Sequence, residues 1–148
     1  MKVLDSDFDY IYSKLGKNTF KDSKILITGG AGFIGFYLIN FLCKYRLELG
    51  INKIVVLDAF LLNKPEWLEN LRKDNKFLEV FKFVVGRDSF GEINGNNVFT
   101  HVIHMASIAS PTFYRKYPLE TIDANVWGLR NLLDSFKTSE FLKSFVFM

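Results

Sequence analysis

A chain of 148 residues that is 49% hydrophobic and 16% aromatic has one domain's length and enough apolar mass to bury a sizeable core. Its net charge of +3 comes from Lys and Arg scattered among acids, with no basic stripe interleaved with stacking aromatics, which argues against nucleic-acid binding. A single cysteine, Cys43, forms no internal disulfide and suits a reducing cytoplasm; Asp5, Asp7 and Asp9 are unlike a signal peptide, and the most apolar stretch, Ala31 to Cys43, is too short for a bilayer, so a soluble cytoplasmic protein is expected.

Asp5 to Leu15 reads as a short helix, with Ser6 placed to cap it, Asp7 and Asp9 in its first turn and Gly16 after its end. Phe8, Ile11, Tyr12 and Leu15 give it an apolar stripe. Polar residues 17–23 then lead into the β-type run Lys24-Ile25-Leu26-Ile27.

Thr28-Gly29-Gly30-Ala31-Gly32-Phe33-Ile34-Gly35 bends that strand into a helix. Gly30, Gly32 and Gly35 have the spacing G-x-G-x-x-G, and Gly29 extends it. Such a bend brings main-chain N–H groups and the positive end of a helix dipole to a ligand, with no Cβ to hold a pyrophosphate away. A simple tight turn also satisfies a glycine triplet, so context decides. A second β-type run, Lys53-Ile54-Val55-Val56-Leu57, ends in Asp58, 23 residues beyond Gly35. An acid there accepts hydrogen bonds from an adenosine ribose and repels a 2′-phosphate.

The helix after the glycines is expected from about Gly32 to Arg46, with Ile34, Tyr37, Leu38, Phe41, Leu42 and Tyr45 at helical spacing. Asn63-Lys64-Pro65 starts another, with Pro65 first and Trp67, Leu68 and Leu71 facing inward. Strands follow at Glu79 to Val85, closed by Gly86-Arg87-Asp88, and at Val98 to His104, leading into Met105-Ala106-Ser107, with a turn at Asn94-Gly95-Asn96-Asn97 between them. Pro118 begins a long helix with a stripe of Ile122, Val126, Leu129, Leu133 and Phe136. Trp127 and Leu132 broaden that face, which fits either a subunit contact or a thick core. Phe141 to Met148 reads as a fifth strand.

This alternation defines an α/β chain: a Rossmann-type, doubly wound, mostly parallel sheet with helices on both faces, preceded by a short N-terminal helix. Residues 1–23 are expected to form the helix and linker, and 24–148 a nucleotide-binding domain, expected to be incomplete at its C-terminus. Ligands of such sheets sit at the carboxyl ends of the strands, where Gly29–Gly35, Asp58, Asp88 and Met105–Ser107 all fall. His101 and His104, three apart on a strand, point to opposite faces and do not share a metal.

Thr-Gly-Gly-Ala-Gly-Phe-Ile-Gly, Asp58 and Val102-Ile103-His104-Met105-Ala106 resemble the extended short-chain dehydrogenase/reductase family, the NAD-dependent nucleotide-sugar epimerases and dehydratases. The resemblance covers about residues 24–148. Ala109-Ser110-Pro111-Thr112-Phe113-Tyr114, with Tyr117-Pro118 after it, is similar to the Ala-Ser-Pro-x-x-Tyr stretch of UDP-glucuronate decarboxylases. Ala124-Asn125-Val126-Trp127-Gly128 is similar to their Thr-Asn-x-x-Gly. The resemblance implies that Gly29, Gly32, Phe33, Ile34 and Gly35 lie at the pyrophosphate of NAD, Asp58 at the adenosine ribose and Asp88 beside the adenine. It implies further that Met105, Ala106 and Ser107 line the cofactor and that Ser110, Pro111 and Tyr114 border a nucleotide sugar, with a UDP-sugar as substrate and a homodimer as assembly.

Ala59 stands where many relatives have Asn, and Asp123 and Ala124 stand where the decarboxylases tend to have Lys and Thr, which leaves the acidic sugar open. The family's chemistry needs a Tyr-x-x-x-Lys pair on one helical face, the lysine favouring a phenolate whose pKa is ordinarily near about 10. Only Tyr10 and Lys14 show that spacing, on the wrong side of the first strand. The catalytic pair is therefore expected beyond Met148, and the 148 residues alone are expected to be inactive. The reaction implied is oxidation at C4 followed by decarboxylation, with 4,6-dehydration and 4-epimerisation as alternatives. A catalytically dead NAD-binding module and an NADP-dependent reductase are the competing classes, the latter opposed by Asp58.

Overall fold

The computed structural model describes residues 2–61, 63–91 and 98–148. In chain order the elements are α1 (Lys2–Leu15), β1 (Ser23–Thr28), α2 (Phe33–Lys44), the one-turn α3 (Arg46–Leu49), β2 (Ile51–Asp58), α4 (Glu66–Asp74) and β3 (Leu78–Lys82). They continue with β4 (His101–His104), α5 (Pro111–Lys116), α6 (Pro118–Ile122), a π-helical segment Asp123–Gly128, α7 (Leu129–Phe136) and β5 (Ser144–Phe147).

The strands form one sheet in the order β3-β2-β1-β4-β5, and every adjacent pair is parallel. Central parallel strands are covered on both faces, so they read as unbroken apolar runs rather than alternating ones. Leu26, Ile27, Ile54, Val55, Val56 and Leu57 are accordingly fully buried. The chain lays β2 and β3 to one side of β1 and then crosses back to place β4 on the other. The order of the strands reverses between β1 and β4, and a crevice opens there at their carboxyl ends.

On one face of the sheet, Ile25, Ile27, Ile54 and Val56 meet Ile39 and Leu42 of α2, Leu68 of α4 and Phe8 of α1. On the other, Leu26, Val55, Leu57 and Val102 meet Phe83, Phe90, Phe99, Leu132 and Phe136. Phe90 and Phe99 pack edge-on around Phe136, with ring centroids 5.3 and 6.3 Å from it, which accounts for part of the chain's phenylalanine content.

α1 starts earlier than Ser6 predicts, and Ser6 lies inside the helix. Leu4 packs on the same cluster as Phe8 and Tyr12, so the apolar stripe extends one turn back and carries the helix with it. The helix is fixed to α2 by Phe8 against Phe41 (5.7 Å), Tyr12 stacked on Tyr45 (4.4 Å) and Lys44 bridging Asp5 (3.1 Å) and Asp9 (3.0 Å).

β3, β4 and β5 are shorter than expected. β3 stops at Lys82, opposite Asp58 at the end of β2. Phe83 still donates to the Asp58 carbonyl at 2.9 Å, but beyond it β2 offers no partner, and the Val84 N–H is taken by the Asp88 carboxylate at 2.7 Å. β4 pairs only from His101, and β5 only over the four residues opposite it. The turn expected at 94–97 lies outside the described residues.

The long helix after Pro118 differs most from expectation. Its sheet-facing residues are Gly128, Leu132 and Phe136, while Ile122, Val126, Trp127 and Leu133 are 53%, 55%, 58% and 44% exposed. The cause is a close approach to the turn after β3. A Cβ on Gly128 would lie 2.3 Å from Val85 Cγ1, and one on Gly86 would lie 2.8 Å from the Asp123 carbonyl oxygen. At that contact the helix widens into π turns, which shifts its phase, so the predicted stripe rotates outward.

Candidate functional site

The glycine turn occupies the crevice between the carboxyl ends of β1 and β4. Gly29 donates to the Leu57 carbonyl at 2.7 Å and has φ of +71°, a left-handed backbone that side chains disfavour. A Cβ there would meet the Ala106 backbone at 2.6 Å, so the turn and the segment after β4 touch main chain to main chain. Gly30 faces inward, where a Cβ would meet Val56 Cγ1 at 2.6 Å. Gly35 closes α2 onto the turn, since its Cβ would fall 2.1 Å from the Gly30 oxygen.

Gly32 is different. It is the N-cap of α2, its Cβ would meet nothing closer than the Gly29 oxygen at 3.4 Å, and no side chain caps the helix. The exposed side of the bend thus presents first-turn N–H groups, which an α-helix cannot satisfy internally. Phe33 (79% exposed) and Ile34 (51% exposed) turn their side chains outward, leaving main chain on the crevice side.

Asp58 ends β2 and reaches the turn. Its Oδ2 accepts from the Ala31 N–H at 2.9 Å and its Oδ1 from the Phe60 N–H at 2.8 Å. Each oxygen keeps acceptor capacity for a further donor, as a pair of ribose hydroxyls supplies. Asp88 lies one strand further on, its Oδ2 accepting from the Val84 N–H at 2.7 Å and its Oδ1 from Arg87 Nε at 3.4 Å. The glycine turn with Asp58 therefore fits a dinucleotide: a side-chain-free cradle for diphosphate beside a carboxylate for a sugar.

After β4, Ala106 donates its N–H to the Thr28 hydroxyl at 3.3 Å, and Ser107 accepts from Asn125 Nδ2 at 3.0 Å. Ser110 and Pro111 open α5, with the Phe113 and Tyr114 N–H groups returning to the Ser110 carbonyl at 2.9 Å each. Ser110, Pro111 and Tyr114 thus lie together at a short helix, which comes in addition to the elements expected from the sequence. Thr28, His104 and Asn125 were missed as site elements. Asn125 stands in the Ala124–Gly128 stretch already matched to the decarboxylases, and that was the available signal for it.

The two histidines do face opposite ways. His101 meets Phe20 edge-on at 5.3 Å, while His104 bonds Thr28 on the other face. Burial pushes both imidazoles below their ordinary 6.5, with Lys143 adding to the effect at His101. An unfolded chain takes up a proton at each ring below about pH 6.5, whereas the fold resists it, so stability declines as pH falls from there toward the depressed folded values. Urea midpoints between pH 7.5 and pH 5.5 are expected to drop, and less steeply in His101→Gln/His104→Asn; equal slopes would remove these rings as the cause. Burial also pushes the Cys43 thiol up to about 12, which makes it a packing residue and not a nucleophile. Tyr10 is 64% exposed on α1, a helix that packs on the far end of α2 from the glycine turn, so Tyr10 and Lys14 stand apart from the crevice.

A parallel sheet with this strand order, a glycine turn after β1 and an acid ending β2 is a Rossmann-type nucleotide-binding fold. The family model for GDP-mannose 4,6 dehydratase matches residues 26–148, and the chain belongs to that family. UDP-glucuronic acid decarboxylase 6 of Arabidopsis thaliana is 33% identical over 110 residues, which are 74% of this chain and 29% of the relative. UDP-glucose 4-epimerase of Thermotoga maritima, solved with UDP-glucose, superposes with a TM-score of 0.65 at 27% identity, over 84% of this chain and 37% of that one. WbmF of Bordetella bronchiseptica, solved with NAD+ and UDP, shares the fold with a TM-score of 0.68 at 22% identity, over 88% of this chain and 36% of that one. The chain thus spans less than a third of the length of the first curated relatives it matches. Among the described residues no helix is long and apolar enough to cross a membrane.

Proposed function

We propose that this chain is the NAD-binding part of a nucleotide-sugar-modifying enzyme, residues 24–148 forming that unit and 1–23 an appended helix and linker. The observation that carries the reading is the juxtaposition of an open, uncapped glycine bend with the Asp58 carboxylate, 2.9 Å from the Ala31 N–H of that bend. Main-chain N–H groups around Gly32, Phe33 and Ile34 hold the pyrophosphate. Gly29 and Gly35 keep the bend tight. Asp58 takes the adenosine ribose hydroxyls, Asp88 the adenine edge, and Met105, Ala106 and Ser107 line the nicotinamide side. When bound, NAD supplies the reversible acceptance of a hydride from the sugar.

Ser110, Pro111 and Tyr114 border a UDP-sugar, a reading supported by the Ala-Ser-Pro-x-x-Tyr stretch and by the decarboxylase relatives. Oxidation at C4 followed by decarboxylation is the favoured branch, with 4,6-dehydration and 4-epimerisation as the other two. Tyr10 and Lys14 do not supply the proton-transferring pair, so these 148 residues bind the cofactor without turnover. The protein is cytoplasmic, and the exposed Leu119, Ile122, Val126 and Leu133 of the helix after Pro118 form a homodimer seam in the whole enzyme.

The whole protein, incubated with NAD+ and UDP-glucuronate, is expected to release carbon dioxide and to sediment as a dimer that Val126→Glu dissociates. Turnover of UDP-glucose to its C4 epimer, with no carbon dioxide from UDP-glucuronate, would move the assignment to the epimerase branch. Silence toward every UDP-sugar with tight NAD+ binding retained would favour the catalytically dead module.

A further inference from the structure

His104 is fully buried at the end of β4, and no step of the proposed chemistry uses it. Its Nδ1 lies 2.6 Å from the Thr28 hydroxyl, which also accepts the Ala106 N–H at 3.3 Å. Its Nε2 makes no hydrogen bond of normal geometry, and the Ala124 carbonyl of the π-helical segment is the group facing it. Phe147 of β5 covers the ring at 5.3 Å. A threonine hydroxyl has one proton. With the Ala124 carbonyl facing Nε2, the neutral ring carries its proton there, and Nδ1 accepts from the Thr28 hydroxyl, whose lone pair takes the Ala106 N–H. Burial keeps the ring neutral at pH 7.

We propose that His104 is a positioning residue for the dinucleotide, a buried latch that sets the width of the crevice by fixing the Thr28 hydroxyl on which the Ala106 amide hangs. The proposal rests on the NAD reading of the site. Three pieces of that site converge on the ring. Thr28 precedes the glycine turn. Ala106 is the residue whose backbone a Cβ on Gly29 would strike at 2.6 Å. Ala124 precedes Asn125, which holds Ser107 at 3.0 Å. A misplaced Thr28 hydroxyl lets the Met105–Ser107 segment drift from the turn, and the cradle loosens without any ligand-contacting residue being changed.

The test uses the full 148-residue chain with Thr28→Val, His104→Phe, His104→Asn and His104→Gln. Hydrogen exchange at the Ala106 amide is followed without ligand, and NAD+ affinity is measured by calorimetry. Asn presents its amide where Nδ1 was and Gln where Nε2 was. Ala106 exchange is expected to rise about tenfold in Thr28→Val and His104→Phe, to stay within about threefold of wild type in His104→Asn, and to rise in His104→Gln. The NAD+ dissociation constant follows the same order. Unchanged Ala106 exchange in Thr28→Val, which keeps the side chain's shape, would overturn the latch, as would Asn behaving no better than Phe. If the wild-type chain fails to bind NAD+, the proposed function falls, while the ligand-free exchange order still decides the role of His104.

Discussion

Gly35→Ala is expected to abolish measurable NAD+ binding and to lower the melting temperature, whereas Gly32→Ala is expected to weaken binding and leave the melt nearly unchanged. The difference lies in what each added methyl meets. At Gly35 the new Cβ would fall 2.1 Å from the Gly30 carbonyl oxygen, a backbone atom that yields only if α2 lifts off the turn. Overpacking of that kind costs about 1–3 kcal/mol, and about 2–4 °C of melting temperature goes with each kcal/mol in a chain of this size. A drop of about 2–12 °C is the expected scale. Lifting the helix moves the first-turn N–H groups, and a displacement of about 1 Å in a positioning group can cost about 100-fold. At Gly32 the Cβ would meet only the Gly29 oxygen at 3.4 Å, ordinary contact, so the fold tolerates it. The methyl instead stands on the open side of the bend, where a phosphate needs to approach. Calorimetric titration beside thermal melts separates the two. A Gly32→Ala chain that binds NAD+ as well as wild type would mean that no ligand uses that side.

Asp58→Ala is expected to weaken NAD+ by about 10–100-fold and to erase the preference over NADP+. A hydrogen bond to a charged acceptor contributes about 1.5–3 kcal/mol, and about 1.4 kcal/mol corresponds to tenfold. The carboxylate has two tasks, since it also receives the Ala31 N–H at 2.9 Å and the Phe60 N–H at 2.8 Å. Asp58→Asn keeps an acceptor for one of these amides and removes the charge, so it separates bracing of the turn from repulsion of a 2′-phosphate. The Asn chain is expected to gain NADP+ affinity while losing less NAD+ affinity than the Ala chain. Equal affinity of the wild-type chain for NAD+ and NADP+, measured by the same titration, would remove the ribose role from Asp58.

The parts of this molecule that were legible in the sequence are those set by local constraint. The glycine bend is fixed by residues within one turn of each other. β1 and β2 announce themselves because burial on both faces demands unbroken Ile, Leu and Val. Asp58 follows from the length of one β-α-β unit. What could not be read depends on distant contacts. The phase of the helix after Pro118 is set where Gly128 presses on Val85 and Gly86, more than forty residues earlier, and no periodicity within the helix encodes the resulting π turns. β3 stops opposite the end of β2 and β5 opposite the end of β4, limits that neighbours set and their own residues do not announce. The partner of His104, Thr28, is 76 positions away, so the place of the ring between the turn and the Ala106 segment emerges only in three dimensions.

Titrating NAD+ into the isotope-labelled chain and following each backbone amide by NMR tests the central claim most directly. The expected result is a saturable response concentrated at Ala31 to Gly35, at Phe60 and at Met105 to Ser107, with α1 and the outer face of α4 unmoved. A response confined to the groove lined by Phe8, Ile11, Leu15, Tyr37 and Leu38, or none at millimolar NAD+, would contradict the account.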